Sequence, residues 1–119
     1  MAQFMLLLHE HPEIESESAS PEQIQSIIAE YVAWREGLAA KNQLIGGEKL
    51  ADEGGRILRR VDGKVQVTDG PYAEAKEIMG GYFAIEAQDY SAAVEIAQSC
   101  PHLKYGSRIE LRQIDQVHV

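Results

Sequence analysis

The sequence predicts an α+β protein with a ferredoxin-like sandwich, in which two helices cover one face of an antiparallel sheet. The 119 residues match the size of one domain with its own hydrophobic core. Strand-like and helical spacings of apolar residues follow each other in the order strand, helix, strands, helix, strand. Apart from one additional hairpin, this is the order of the ferredoxin-like sandwich, so residues 1–119 are expected to form a single domain.

The first half of the chain contains a strand and a long helix. Gln3–His9 is a nearly continuous apolar run, which is typical of a central strand covered on both faces. Residues 10–20 are acidic and are expected to form a solvated loop. Ser20 and Gln23 can form a capping box around a helix start, and the helix is expected to end near Lys41. Its apolar stripe consists of Ile24, Ile27, Ile28, Tyr31, Trp34 and Leu38.

A hairpin follows the first helix. Leu44-Ile45, which precedes two glycines, predicts a short strand at most. Arg56–Val61 and Lys64–Thr68 flank Asp62-Gly63, a strong signal for a two-residue hairpin turn. A loop with partial helical character is expected over residues 72–81.

A strand, a helix and a last strand complete the fold. Tyr82–Ala87 is rich in aromatic and apolar residues and predicts a strand. Asp89 can cap a second helix, which Pro101 ends. In Ser107–Ile114, apolar and polar residues alternate, which predicts the last strand. The buried side of the second helix is expected to contain Tyr90, Ala93, Val94, Ala97 and Cys100.

The predicted sheet is apolar on both faces, although helices are available for only one. Because neighbouring residues of a strand point in opposite directions, one face holds Leu6, Leu8, Phe83 and Ile85, and the other holds Met5, Leu7, Tyr82 and Ala84. We therefore expect a second copy of the chain to cover the second face, as in a homodimer.

The net charge and the single cysteine restrict the partners and the cellular location that we expect for this protein. The formal net charge of −8 opposes binding to nucleic-acid phosphates and to anionic lipids, so neither direct nucleic-acid contact nor membrane binding is expected. Cys100 is the only cysteine, which suits a reducing compartment, and we expect it to be buried and inert. The longest apolar run near the N-terminus, Phe4–Leu8, is too short for a signal peptide, so a cytoplasmic location is expected.

Titratable and aromatic side chains converge at one end of the predicted sheet, where the first strand ends beside the starts of its two antiparallel neighbours. Asp69 is a candidate general base, and His9 is its candidate imidazole partner. Alternatively, Asp69 accepts hydrogen bonds within its own turn, and Lys76 forms ion pairs that hold the loop. The candidate substrate-binding residues are Tyr72, Lys76, Tyr82, His102 and Arg108. His9-x-His11 is the only metal-like spacing, and we expect neither a metal nor another cofactor.

The segment Asp69–Glu77 (DGPYAEAKE), followed by Gly80–Phe83 (GGYF), resembles the DGPF (DGPFAETKE) motif of YCII-related proteins. Tyr72 and Ala75 stand where that family usually has Phe and Thr. The segments FMLLLHE, YVAWREGLAA, LIGGEKL and CPHLKYGSRIELRQI extend the resemblance over almost the whole chain. The chain is thus identified as a single YCII-related (DGPF) domain.

The resemblance implies a dimeric α/β barrel built from two ferredoxin-like subunits. Relatives in the wider family include a dehydrochlorinase that acts on a hydroxylated aromatic ring, and the wider family is thought to use a His–Asp pair. Asp69 matches that Asp. The matching His would lie on the first helix, which contains no histidine in this chain, so His9 would have to serve from another element.

Two hypotheses for the function stay open. The first is a small-molecule enzyme of lyase or isomerase type, with an Asp69-centred cleft that takes a small anionic or aromatic ligand. Lys76 or Arg108 would then offer positive charge at the mouth of the cleft. The second is a non-catalytic, transcription-associated module that binds a metabolite or a partner protein, since the acidic surface favours protein over DNA.

Overall fold

The computed structural model describes residues 1–11, 20–70 and 77–117. Six strands occur in these ranges: β1 (Ala2–Glu10), β2 (Leu44–Lys49), β3 (Arg56–Val61), β4 (Lys64–Asp69), β5 (Ile78–Ala87) and β6 (Arg108–Gln113). Three helices accompany them: α1 (Pro21–Ala40), α2 (Tyr90–Gln98) and the short α3 (His102–Tyr105). The four-stranded antiparallel sheet has the order β2-β5-β1-β6, and β3 and β4 form a separate two-stranded sheet. The mixed α+β architecture and its strand order agree with the predicted ferredoxin-like arrangement.

The core lies between one face of the four-stranded sheet and the helices. Phe4, Leu6 and Leu8 of β1 are buried there, and Leu6 pairs with Phe83 across the β1–β5 ladder. The remaining buried apolar residues of this core are Leu38, Ile85, Ala87, Ala93, Ala97 and Cys100. The ring of Trp34 packs edge-on against Phe83, with 5.0 Å between the ring centroids. The described helices therefore cover this face of the sheet.

Both long helices begin where the sequence predicts, but less of each is buried than expected. The capping box of α1 is confirmed, because Gln23 N donates to Ser20 Oγ at 3.1 Å and Ser20 N donates to Gln23 Oε1 at 2.7 Å. The predicted apolar stripe of α1 is buried only toward its C-terminal half, whereas Ile24 and Ile28 are exposed. In α2, Tyr90 and Val94 are exposed as well, whereas Ala93 and Ala97 are buried.

Two glycine pairs that resemble strand ends in the sequence lie inside strands. β2 continues through Gly46 and Gly47 to Lys49, and β5 begins at Ile78, before Gly80. A Cβ at Gly47 would lie 2.8 Å from the Tyr82 carbonyl oxygen, and a Cβ at Gly81 would lie 2.8 Å from that of Glu48. Glycine is thus what allows these two strands to approach closely, and the loop expected over residues 72–81 is wrong for residues 78–81, which belong to β5.

The predicted hairpin turn is confirmed. Asp62 and Gly63 have φ angles of 51° and 77°, so both central residues adopt the positive φ that a type I′ turn requires. The paired residues run from Val61–Lys64 at the turn to Arg56–Asp69 at the base of the hairpin. Gly70 N donates to Gly55 O at 3.0 Å and closes this base.

No helix among the described residues is long and apolar enough to cross a membrane.

Candidate functional site

One end of the four-stranded sheet brings together the residues that follow β1 and precede β5 and β6. His9 pairs with Arg108 in the β1–β6 ladder, and the register of the β1–β5 ladder shifts between Leu8 and His9. The His9 carbonyl accepts a hydrogen bond from Ser107 N at 3.1 Å. Regular alternation along β1 places the His9 side chain with those of Met5 and Leu7, away from the helices, on the second face of the sheet, which we call the open face.

His9 and Glu110 form an imidazole–carboxylate pair on the open face. Glu110 lies opposite Leu7 in the β1–β6 ladder, so His9 and Glu110 are diagonal neighbours on one face. His9 Nε2 donates to Glu110 Oε1 at 3.2 Å, and both side chains keep some exposure to solvent. Because the carboxylate fixes the proton on Nε2, Nδ1 of the neutral ring is left as a proton acceptor. This arrangement is suited to general acid–base chemistry.

Glu77 forms a second polar group at the same end of the sheet. Its carboxylate accepts hydrogen bonds from Ser107 Oγ and from Arg108 Nε, the latter at 2.5 Å. Glu77 lies just before β5, whereas Ser107 and Arg108 lie at the start of β6. The ion pair therefore holds the guanidinium of Arg108, a predicted substrate-binding residue, beside the open face.

His102 is buried on the opposite, helix-covered side of the same strand end, with 2% of its surface exposed. Its Nε2 donates to the His9 carbonyl at 2.7 Å, and its Nδ1 accepts from the Tyr31 hydroxyl at 3.3 Å. A carbonyl can only accept, so Nε2 carries the proton. Burial raises the pKa of the Tyr31 hydroxyl, which keeps this hydroxyl a donor. His102 therefore supports the His9 backbone from the core rather than lining the open face.

Asp69 lies at the base of the hairpin and is not brought into contact with His9. Its side chain is 89% exposed, and its ion pair is with Arg56, at 3.5 Å between Arg56 Nε and Asp69 Oδ1. The expectation that Asp69 contacts the end of β1 or residues 102–108 is wrong. The reason is topological, because Asp69 ends a strand of the separate two-stranded sheet rather than one of the four-stranded sheet.

Three predicted site residues remain, namely Tyr72, Lys76 and Tyr82. Tyr82 lies on the open face, opposite Leu7 in β1 and Glu48 in β2, and is half-buried. Tyr72 and Lys76 lie outside the described residues, as does most of the family-like segment.

The sequence did not predict Glu110 as the partner of His9. The alternation of β6 places it on the face opposite Ile109, but only the register of β6 against β1 brings it to His9.

Cys100 is buried, as expected, although it follows α2, which ends at Gln98, rather than lying in it. Burial raises the pKa of its thiol, so the reactive thiolate is disfavoured at neutral pH. It borders an open groove between α1 and the segment that joins α2 to α3, where Lys104 Nζ lies 2.9 Å from Glu30 Oε1. A hydrogen bond with the Tyr105 side chain and, to a smaller extent, one with Lys104 hold the pKa of the Glu30 carboxyl below its ordinary value. Among the described residues, no group of three or more His, Cys, Asp or Glu side chains could hold a metal ion.

The sequence model of the YCII-related domain matches residues 2–116, which confirms the resemblance found in the sequence. Among curated proteins, none matches the chain. A solved structure with a similar fold is that of the 5-chloro-2-hydroxyhydroquinone dehydrochlorinase from Burkholderia phenoliruptrix AC1100, in complex with 2,5-dihydroxybenzoquinone. The two chains are 15% identical, the TM-score is 0.52, and the similarity covers 95% of this chain and 93% of that one. This similarity shows the fold.

Proposed function

This chain belongs to the YCII-related domain family, and from that membership we propose that it is a small-molecule enzyme of lyase or isomerase type. The observation that carries the proposal is the His9–Glu110 pair, at 3.2 Å on the open face. An imidazole whose proton is fixed by a carboxylate can remove a proton from a substrate carbon or hydroxyl and return it elsewhere. Elimination and isomerisation both require such a transfer.

The proposed ligand is a small anionic or aromatic molecule. Tyr82 offers an aromatic ring on the open face, and Arg108 offers a guanidinium at the same end of the sheet. The dehydrochlorinase of similar fold was solved with a dihydroxybenzoquinone, a small ring with ionisable hydroxyl groups. In our proposal Tyr72 and Lys76 join this site. Asp69, whose carboxylate is accessible, is proposed as a second catalytic base.

The proposed assembly is a homodimer in which two open faces pack together as a dimeric α/β barrel. Met5, Leu7, Tyr82 and Ala84 form the apolar part of the open face. The smallest extent of the molecule, 18 Å between Cα atoms, corresponds to one sheet and a single helix layer. An apolar sheet face in such a layer would gain stability from burial against a second copy. The substrate cleft would then lie between the two sheets.

The proposal is tested with 2,5-dihydroxybenzoquinone as the probe, by following histidine ring resonances in NMR spectra. We expect the probe to shift the His9 resonances, and we expect His9→Gln to weaken binding at least about tenfold. His11→Gln is the matched control, because His11 is an exposed histidine two residues away. Equal binding by the His9→Gln variant would contradict the proposed site.

A turnover assay separates the two functional hypotheses. Halogenated hydroxyquinols are incubated with the protein, and released halide is measured for the wild type, His9→Gln and Glu110→Gln. We expect halide release that both substitutions reduce by about 100-fold or more, as is usual when a general base or its partner is removed. Probe binding at His9 without turnover would instead favour the metabolite-binding module.

A further inference from the structure

Among the described residues of the four-stranded sheet, Arg108 is the cation nearest to the His9–Glu110 pair on the open face. It lies directly opposite His9 in the β1–β6 ladder, and the Cβ atoms of such a pair are about 5 Å apart. Arg112 lies on the same face but opposite Met5, four residues from His9, which is about 13 Å along β1. Negative charge that develops on a ligand bound at His9 would therefore lie closest to Arg108.

The guanidinium of Arg108 is oriented before any ligand binds. Glu77 precedes β5 and Arg108 begins β6, so their ion pair, at 2.5 Å between Glu77 Oε1 and Arg108 Nε, crosses the end of β1. Ser107 Oγ donates to the same carboxylate, whose side chain is 19% exposed. Among the described residues, this contact engages Nε of Arg108 and leaves the N–H groups of Nη1 and Nη2 to a ligand. Donors held in place in this way need little reorganisation when they bond a developing charge.

Proton removal by His9 creates a negative charge that Glu110 does not neutralise. When Nδ1 of His9 takes the proton from a carbon beside a carbonyl group, the C–H electron pair forms a C=C bond and the carbonyl π electrons move to oxygen. The same enolate forms when the proton comes from the O–H of the enol or phenol tautomer. Glu110 balances the resulting imidazolium, because it accepts the hydrogen bond from Nε2 at 3.2 Å. The enolate oxygen requires a positively charged donor of its own.

We propose that Arg108 is a further catalytic residue, whose Nη groups bond the enolate oxygen as His9 removes the proton. This inference rests on the proposed function and narrows its substrate class to carbonyl compounds and their enol or phenol tautomers. Return of the proton from Nδ1 to another atom of the enolate completes an isomerisation. In an elimination, the enolate electrons re-form the carbonyl and expel a halide with its bonding pair from a conjugated carbon, and His9 then loses its proton to solvent.

The pKa of bound 4-nitrophenol tests this role without a known substrate. Its phenolate is an analogue of the enolate, and the yellow colour of the phenolate reports ionisation directly. We expect the wild type to lower the pKa of bound 4-nitrophenol by about one to two pH units, and Arg108→Gln to remove most of this effect. Arg112→Gln is the matched control, because it removes the same charge from the same face farther from His9. An unchanged probe pKa in the wild type, or equal losses in the two variants, would overturn the role of Arg108.

A measurement on the wild type avoids any effect of substitution on folding. We expect the guanidinium NMR resonances of Arg108 to shift when 4-nitrophenolate binds, and resonances that stay unchanged on binding would overturn the inference. A wild type that binds 2,5-dihydroxybenzoquinone at His9 but not 4-nitrophenol would also reject the role of Arg108 and keep the proposed site. A wild type that binds neither probe would reject the proposed function as well.

Kinetics distinguish stabilisation of the enolate from simple binding of the substrate. With the halogenated hydroxyquinols of the turnover assay, Arg108→Gln is expected to lower kcat by about 100-fold and to change KM by less than about threefold. A raised KM with unchanged kcat would show that Arg108 binds the substrate and the enolate equally, which contradicts the inference and leaves the enzyme intact. Absence of halide release from the wild type would reject the proposed enzyme and this inference with it.

Discussion

The imidazole of His102, in the core, donates a hydrogen bond to the backbone carbonyl of His9, whose own side chain lies on the other side of the sheet, bonded to Glu110. The core histidine and the surface histidine are thus linked through one carbonyl group. A second donor, Ser107 N, bonds the same carbonyl oxygen. The backbone of His9, the candidate base, is therefore held by hydrogen bonds, one of them from the core. Substitutions in the core can for this reason change the position of the His9 side chain.

Gly106 is expected to be intolerant of a side chain because the ring of His102 lies against it. An alanine Cβ there would overlap the imidazole, which is held at both nitrogens and cannot move away. We expect Gly106→Ala to lower the free energy of unfolding by about 1–3 kcal/mol. Gly37→Ala is the matched control, because Gly37 lies inside α1 with open space around it. Urea unfolding should show Gly37→Ala stabilised by about 0.5–1 kcal/mol, and two variants of equal stability would contradict the packing described.

Stability is expected to fall at alkaline pH, in part because of Tyr31. Burial raises the pKa of this hydroxyl in the folded chain above its ordinary value near 10. The unfolded chain then loses the proton first, so the contribution is complete below about pH 10 and is lost as the pH rises further. Thermal unfolding between pH 8 and pH 11 should show a shallower loss for Tyr31→Phe than for the wild type. Identical slopes would show that Tyr31 does not titrate differently in the two states.

Cys100 is expected to react slowly with thiol reagents in the native protein. The thiol is buried, and burial raises its pKa, so both access and thiolate formation are disfavoured. Labelling with an aromatic disulfide should be at least about 100-fold slower in buffer than in concentrated urea. Equal rates would place the thiol at the surface.

Asp69→Asn separates a chemical role from a structural one. The carboxylate is 89% exposed and its ion pair with Arg56 is solvated, so we expect the free energy of unfolding to change by less than about 0.5 kcal/mol. A loss of turnover in this fully folded variant would then assign Asp69 to catalysis. A loss of about 1 kcal/mol or more in stability would instead favour the turn-stabilising alternative.

Leu7→Asp tests the proposed dimer at the centre of the open face. Leu7 lies opposite Tyr82 on one side and Glu110 on the other. A buried carboxylate between two apolar sheets would be strongly unfavourable, so the variant should sediment as a monomer or unfold. Val32→Asp, on the exposed surface of α1, should stay dimeric. A wild type that sediments as a folded monomer at micromolar concentration would refute the dimer.

Local patterns in the sequence predicted the elements well, because each depends on nearby residues. The capping box at Ser20 and the turn at Asp62-Gly63 are such cases, and both are confirmed. The partner of His9 could not be predicted in the same way. It depends on which residue of β6 faces β1 and on the exclusion of β4 from the main sheet, and both are set by pairing between distant segments. Tertiary pairing thus placed Glu110 beside His9 and left Asp69 with Arg56.

The strand order has a consequence for the nascent chain. Leu6 of β1 can pair with Phe83 of β5 only after Phe83 has been synthesised, 77 residues later. At typical translation rates this interval is roughly 4–15 s, during which β1 lacks the strand with which it pairs. The hairpin of β3 and β4, by contrast, pairs residues that are close in sequence and can close within microseconds of emerging from the ribosome. During synthesis, the first strand is therefore the segment most in need of a chaperone.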